Sequence, residues 1–230
     1  MLSQVLRFTF PAGSTISSTA FLKLRQQIAA AGAASQYYGY TTPTRVLSLP
    51  RKRHEVCWVI RNGGPDWPDE RQDRSAVAEG LISTGITDAT SLEFEFTEAQ
   101  LEHLTKALDA PICEFACIRL RDDAPLEDEA LQTSMHKTYS DTYQIPGFTG
   151  GYWAYALNTN ETAGVPCSGP APETIPKSHR RLGVYYLGWD SIELHEDGTQ
   201  TAAFSEEIEK LQPYFGPGSG AFYTMLRQHK

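Results

Sequence analysis

Residues 180–215 read RRLGVYYLGWDSIELHEDGTQTAAFSEEIEKLQPYF, from Arg180 to Phe215. Leu182 to Trp189 is a continuous apolar run of strand length. Asp190 to Gly198 is a polar step. Beyond it Phe204, Ile208 and Leu211 recur at i, i+4 and i+7, the spacing of one helix face. The same order of elements, in weaker form, occurs about half a chain earlier, and that duplication decides the fold.

In the first half, Val5 to Phe10 alternates, with Leu6, Phe8 and Phe10 on one face. Residues 14–31 carry a helical stripe of Phe21, Leu24 and Ile28, stopped by Gly32. Strands are expected at 37–42 and 55–61, a loop at 62–68, a helix at 74–82 and a strand at 91–96. Thr97 and Gln100 form a capping-box pattern ahead of Leu101, Leu104 and Leu108. The second half repeats this order. A strand is expected at 112–120, a helix at 126–143, a strand at 148–158, a Pro-rich loop at 159–178, the opening stretch, and a last strand at 221–227. Each half therefore reads β-α-β-β-α-β. The motif match sets Gly39-Tyr40 against Gly151-Tyr152, Val56 to Trp58 against Val184 to Tyr186, and Phe94 against Phe222.

The fold class is α+β: two ferredoxin-like repeats, 1–96 and 112–230, joined by a connector helix within 97–111. Such a repeat has helices on one sheet face and a bare apolar face on the other, and packing the two bare faces together buries both. A hydrophobic fraction of 40% with eleven tyrosines and four tryptophans suffices for a packed core. A formal charge of −8 opposes a nucleic-acid or anionic-membrane surface. The short basic cluster at 51–54 reads as a solvated approach to a strand. No apolar run reaches membrane-spanning length and the N-terminus lacks a secretory pattern, so a cytoplasmic protein is expected. Cys57, Cys113, Cys117 and Cys167 have no metal-ligand spacing and read as reduced thiols.

Gly188-Trp189-Asp190-Ser191 through Glu193 and His195, with Tyr214-Phe215 downstream, resembles the strand-to-helix signature of the dimeric α+β barrel superfamily. The nearest flavour is the antibiotic-biosynthesis-monooxygenase type of fungal chains. The first half departs from it: Arg61-Asn62 stand in place of Trp189-Asp190, and Trp67 in place of His195. The resemblance implies an intrachain pseudo-dimer, functional as a monomer or a homodimer. It also implies a ligand cavity between each sheet and its own helices. The chemistry found in such folds includes cofactor-free oxygenation of polyphenols, cyclisation, isomerisation, decarboxylation and, in a minority branch, haem binding. Fold alone does not choose among them.

Candidate catalytic residues are His195, beside Glu193 and Glu196, whose carboxylates favour a protonated imidazole, and His136 with Tyr139 on one helix face. Candidate substrate-binding residues are Tyr143, on that same face, the strand aromatics Tyr152, Trp153, Tyr185 and Trp189, and Arg61 as an oxyanion partner. No metal and no cofactor are expected, since neither metal-ligand spacing nor a phosphate-binding glycine motif occurs. The expected partner is a small aromatic, polyketide-like molecule of secondary metabolism. The expected activity is oxygenation through a deprotonated phenol or enol. A cyclase, isomerase or decarboxylase using the same acid–base pocket, and a non-catalytic binding protein, are the alternatives.

Overall fold

The structure, a computed structural model, describes residues 1–45, 47–62 and 70–229, with the backbone alone at 70–75, 203 and 207. Most of the loop expected at 62–68, including Trp67, lies outside the described residues. The first repeat comprises β1 (Leu2–Phe8), α1 (Thr19–Ala30), β2 (Ala33–Pro43), β3 (Val56–Asn62), α2 (Glu70–Ser83) and β4 (Thr90–Glu95). After the connector α3 (Glu98–Asp109), the second comprises β5 (Ile112–Arg119), α4 (Glu129–Ser140), β6 (Phe148–Tyr155), β7 (Val165–Pro166), β8 (Leu182–Trp189), α5 (Ile192–Gly198), α6 (Ala202–Leu211), β9 (Gly220–Thr224) and β10 (Arg227–Gln228).

Within each repeat the strands take the ferredoxin-like order, β4-β1-β3-β2 and β9-β5-β8-β6. The repeats join where β2 pairs with β9, Thr42 opposite Tyr223. The far edges meet too: the chain leaving β6 returns to β4, where the Leu157 N–H donates to the Glu93 carbonyl at 2.8 Å. The antiparallel sheet thus curls into a ring with helices outside. Inside it, Val5, Cys57, Val59, Phe94, Phe96, Cys113, Phe115, Cys117, Tyr186 and Phe222 form one buried cluster. Phe115 stacks on Phe222 with centroids 5.0–5.1 Å from its Tyr186 and Phe222 neighbours. Each such large side chain contributes about 1.5–3 kcal/mol by leaving water. The two outer faces carry separate cores. Phe8, Phe21, Leu24, Ile28 and Trp58 lie under α1 and α2; Leu131, Met135, Tyr185, Trp189 and Leu211 lie under α4 to α6. All four cysteines are free thiols.

Register corrects the motif match between the halves. Val5 lies opposite Val59 and Leu92, and Phe115 opposite Tyr186 and Phe222. Equating Val5 with Phe115 makes Cys57 the counterpart of Val184 and Trp58 that of Tyr185, one residue away from the motif match. A one-residue slip exchanges the inner and outer faces, so only the register-based pairing keeps the core inside. Leu92, rather than Phe94, corresponds to Phe222. Tyr37 corresponds to Tyr152, which moves Gly39 from Gly151 to Ala154. Two junction contacts obey this alignment independently: Thr42 meets Tyr223 as Leu157 meets Glu93.

Other expectations shift in bounds. The first helix begins at Thr19 rather than Ser14, because residues 11–18 turn through Gly13 at φ +83°. The last strand divides: β9 pairs with β5 and β2, and β10 pairs with β2 at a separate place. The Thr97 N–H donates to Gln100 Oε1 at 2.8 Å, as the capping pattern predicts. Among the described residues no helix is long and apolar enough to cross a membrane.

One buried ion pair stands at the seam between repeats. Arg7 Nε and Nη2 donate to Glu55 Oε2 at 3.0 and 2.9 Å, Nη2 also donates to the Pro50 carbonyl, and the guanidinium lies 5.0 Å from the Phe222 ring. Removing one partner strands the other charge away from water. Glu55→Ala is expected to lower stability by about 3–5 kcal/mol in urea unfolding, and the double variant Arg7→Met/Glu55→Leu to recover most of the loss.

Candidate active site

On the outer face of the second repeat, α4, α5 and α6 do not close fully onto β5, β8 and β9. The gap is a cavity of about 480 Å³. Its walls are largely apolar and include Leu47, Ala116, Ile118, Leu187, Phe204, Ile208 and Phe215. Arg45, Leu47 and Gln200 are exposed and mark its mouth, where Arg45 lies 3.4 Å from the Glu196 carboxylate.

Thr44, Arg45 and Leu47 come from the first repeat, in the connection between β2 and β3. The corresponding connection of the second repeat, between β6 and β8, does the reverse. Its segment 165–172 lines a smaller cavity, about 280 Å³, on the outer face of the first repeat. The Pro-rich loop is therefore a strap, pinned where β7 pairs with β4. Each repeat covers the other's pocket.

Three polar side chains meet in the apolar interior of the larger cavity. Glu114 on β5 and Tyr223 on β9 are directly opposed in the antiparallel ladder and share its outer face. His195 spans them, with Nδ1 2.5 Å from the Tyr223 hydroxyl and Nε2 3.2 Å from Glu114 Oε2. The Trp189 indole N–H donates to that same Oε2 at 3.1 Å, and its ring lies 4.5 Å from the imidazole. All four are buried.

His195 reaches this position because the polar step at 190–198 is itself a helix. Ser191 caps α5, its Oγ accepting from the Leu194 N–H at 3.2 Å, and α5 ends at Gly198 before Thr201 caps α6. A seven-residue helix is too short to show an apolar stripe. It turns residue 195 back beneath the strand end.

Burial pushes the Tyr223 phenol well up, and the Glu114 and Glu196 carboxylates push the same way. The hydroxyl therefore keeps its proton. The imidazole tautomer that donates from Nε2 to the Glu114 carboxylate leaves Nδ1 to accept from the Tyr223 hydroxyl. The result is a directed chain: Tyr223 O–H to His195 to Glu114. The carboxylate facing His195 is thus Glu114 from β5, whereas Glu193 points to solvent, held low by its own backbone N–H and by Ser191. Both ring nitrogens of His195 are engaged in this arrangement, one by Tyr223 and one by Glu114.

Of the residues named from sequence, His195, Tyr185 and Trp189 line the cavity. Tyr185 serves as wall only, since its hydroxyl donates to the Met135 carbonyl at 2.7 Å. The other six lie elsewhere. His136, Tyr139, Tyr143, Tyr152 and Trp153 form an aromatic cluster with His103 where α3 and α4 meet β6. There Tyr143 OH is 3.1 Å from His103 Nδ1 and Trp153 Nε1 is 3.4 Å from His136 Nδ1. Arg61 donates to Thr105 Oγ1 on α3 at 2.8 Å. Sequence reading missed Glu114 and Tyr223. Their signal was present: a carboxylate and a phenol inside otherwise apolar strand segments, 112–118 and 220–224.

The first repeat does not reproduce the trio. Register sets Gln4 at the position of Glu114, Glu93 at that of Tyr223 and Asn62 at that of Trp189. Among the described residues no group of three His, Cys, Asp or Glu side chains could hold a metal.

No protein-family model matches the chain, and no curated protein matches its sequence. Solved structures do share its fold. A candidate monooxygenase of Lactobacillus acidophilus superposes with a TM-score of 0.54 at 10% identity, covering 99% of this chain and 93% of that one. An anthrone oxidase-like protein gives 0.54 at 12%, covering 99% and 92%. A candidate monooxygenase of Fusobacterium nucleatum gives 0.52 at 11%, covering 100% and 92%. At these identities the likeness is one of fold, along the whole chain.

Burial also pushes Tyr37 up to about 12, and it pushes Tyr139, Tyr185 and Tyr186 up as well. A phenol raised on folding contributes stability that is full below pH ~10, its unfolded value, and is lost as pH rises through the folded value. Absorbance at 295 nm is expected to show one ionisation wave from exposed tyrosines. A second, cooperative wave should coincide with loss of near-ultraviolet circular dichroism, and Tyr223→Phe should reduce only the second.

Proposed function

We propose that this chain is a cofactor-independent tailoring enzyme of the monooxygenase-like kind. It acts on a phenolic or enolic, polyketide-like aromatic molecule of secondary metabolism. The observation that carries this assignment is the buried chain Glu114–His195–Tyr223 inside an apolar cavity. The descriptions of the structural neighbours as monooxygenase candidates and as anthrone oxidase-like agree with it.

Direct attack on the substrate proton by His195 is blocked, because both ring nitrogens are occupied. The proton passes through Tyr223 instead. The substrate hydroxyl donates to a free lone pair of Tyr223 Oη. As that proton transfers, the Tyr223 proton moves to His195 Nδ1, and the imidazolium is held by Glu114 through Nε2. A neutral pair thus becomes an ion pair whose charges are already faced by partners, in a site from which water is largely excluded. Trp189 keeps Glu114 Oε2 in place for this role.

The resulting phenolate or enolate is electron-rich at its activated carbon. It transfers an electron to O₂, the two radicals combine as a peroxide, and the relay runs backward to deliver the proton, giving a hydroperoxide. Loss of water leaves a carbonyl, so a CH₂ group and O₂ become C=O and H₂O. Tyr185, Leu187 and Phe215 supply flat apolar wall for the ring. The intrachain pairing of the two sheets supports the monomer as the working unit, with a homodimer as the alternative, and this mechanism uses none of the six residues outside the cavity.

His195→Ala and Tyr223→Phe are each expected to lower kcat about 10²–10⁴-fold on an anthrone. The double variant should be no worse than the poorer single, as for residues acting as a unit. An oxygen electrode should record one O₂ consumed per product. Turnover without O₂ uptake would replace oxygenation with isomerisation, cyclisation or decarboxylation by the same relay. Full activity in both single variants would remove the acid–base assignment.

A further inference from the structure

The cavity does not end at the helices. A second chamber of about 200 Å³ lies between α4 and α6, bounded on its outer side by Lys137, Asp141, Gln144 and Thr201. It shares four wall residues with the main cavity: Thr138 and Thr142 from α4 and the 3-10 turn that follows it, and Phe204 and Ile208 from α6. These four, two from each side, are the described residues common to the walls of both chambers. The Thr138 hydroxyl donates to the Ser134 carbonyl at 3.0 Å and the Thr142 hydroxyl to the Tyr139 carbonyl. Both hydroxyls donate to their own helical backbone, and a phenyl ring and a sec-butyl group face them from α6, with no charged side chain among the four. Phe204 and Ile208 are only partly buried, so rotamer changes can part them without disturbing the sheet. At the rim Lys137 and Asp141 pair at 3.2 Å, which places charge at the outer chamber's edge and none in the partition.

We propose that the outer chamber is a subsite for a flexible apolar tail on the substrate, reached between α4 and α6 past Phe204 and Ile208. The substrate class is then a phenol or enol bearing an extended alkyl or polyene chain, rather than a compact fused-ring molecule alone. The hydroxyl end lies at Tyr223 and the tail leaves between α4 and α6. The orientation of the head rests on the acid–base assignment above; the subsite itself does not.

The test uses 4-decylphenol and p-cresol as probes, with binding followed by quenching of tryptophan fluorescence. Gln144→Cys, made in a Cys167→Ser background, places a reactive thiol in the outer chamber. At saturation, 4-decylphenol is expected to slow alkylation of that thiol by iodoacetamide at least tenfold, and p-cresol to leave it unchanged. Decylphenol should bind far more tightly than cresol, by about fourfold for each methylene that leaves water. Phe204→Trp, which narrows the partition, should abolish the protection while leaving cresol binding intact. Ile208→Ala, which widens it, should preserve the protection. Tyr223→Phe addresses the head site alone: it should weaken both phenols by the same factor and keep the protection at saturation. Saturating decylphenol with an unchanged alkylation rate, or decylphenol binding no tighter than cresol, would overturn the subsite.

Discussion

A four-stranded antiparallel sheet with helices on one side has an apolar face that cannot be left in water. Here that face is buried against its own copy within one chain. Phe94, Phe96, Phe115, Tyr186 and Phe222 fill the space between the two sheets. Their burial holds the edges of the repeats together at β2–β9 and near Glu93 and Leu157. The outer faces are thereby released from the task of holding the halves together. They are covered by helices one at a time, and imperfect coverage is where a cavity can exist. The main core is inside the ring and the candidate site is outside it.

On the outer face of the second repeat, site geometry follows from sheet geometry. Adjacent strands place Glu114 and Tyr223 opposite one another, so their separation is fixed by backbone hydrogen bonds. His195 alone of the three comes from outside the strands, on the short capped helix α5. The first repeat has the same scaffold with Gln4, Glu93 and Asn62 at the corresponding positions, so the scaffold is duplicated and the polar trio is not.

The fold was largely legible because its evidence is periodic. Alternation at 5–10 and 91–96, helical stripes at 101–108 and 204–211, and their repetition after half a chain all depend on which face a residue occupies. The exact register was not legible: matching Val56 to Val184 is reasonable by residue type and wrong by one step, and only hydrogen-bond pairing shows it. Residues of the candidate site were legible where a local motif marked them: His195 and Trp189 were named from one motif, and both line the cavity. Glu114 and Tyr223 lie far from His195 in sequence and come together only through the order of the strands. The aromatic cluster of His136, Tyr139, Tyr143, Tyr152 and Trp153 shows the converse. Its members do come together, but at the sheet edge beneath α3 and α4 and away from the cavity.

The two exchanged straps make the halves of this chain interdependent in inheritance as well as in space. A length change between β2 and β3 alters the mouth of the pocket over the second sheet, and a change between β6 and β8 alters the pocket over the first. The shape of one pocket can therefore change through insertions in the opposite half, while β5, α5 and β9, which carry Glu114, His195 and Tyr223, stay untouched. Comparison of either half alone with single-repeat proteins would assign each strap to the wrong pocket.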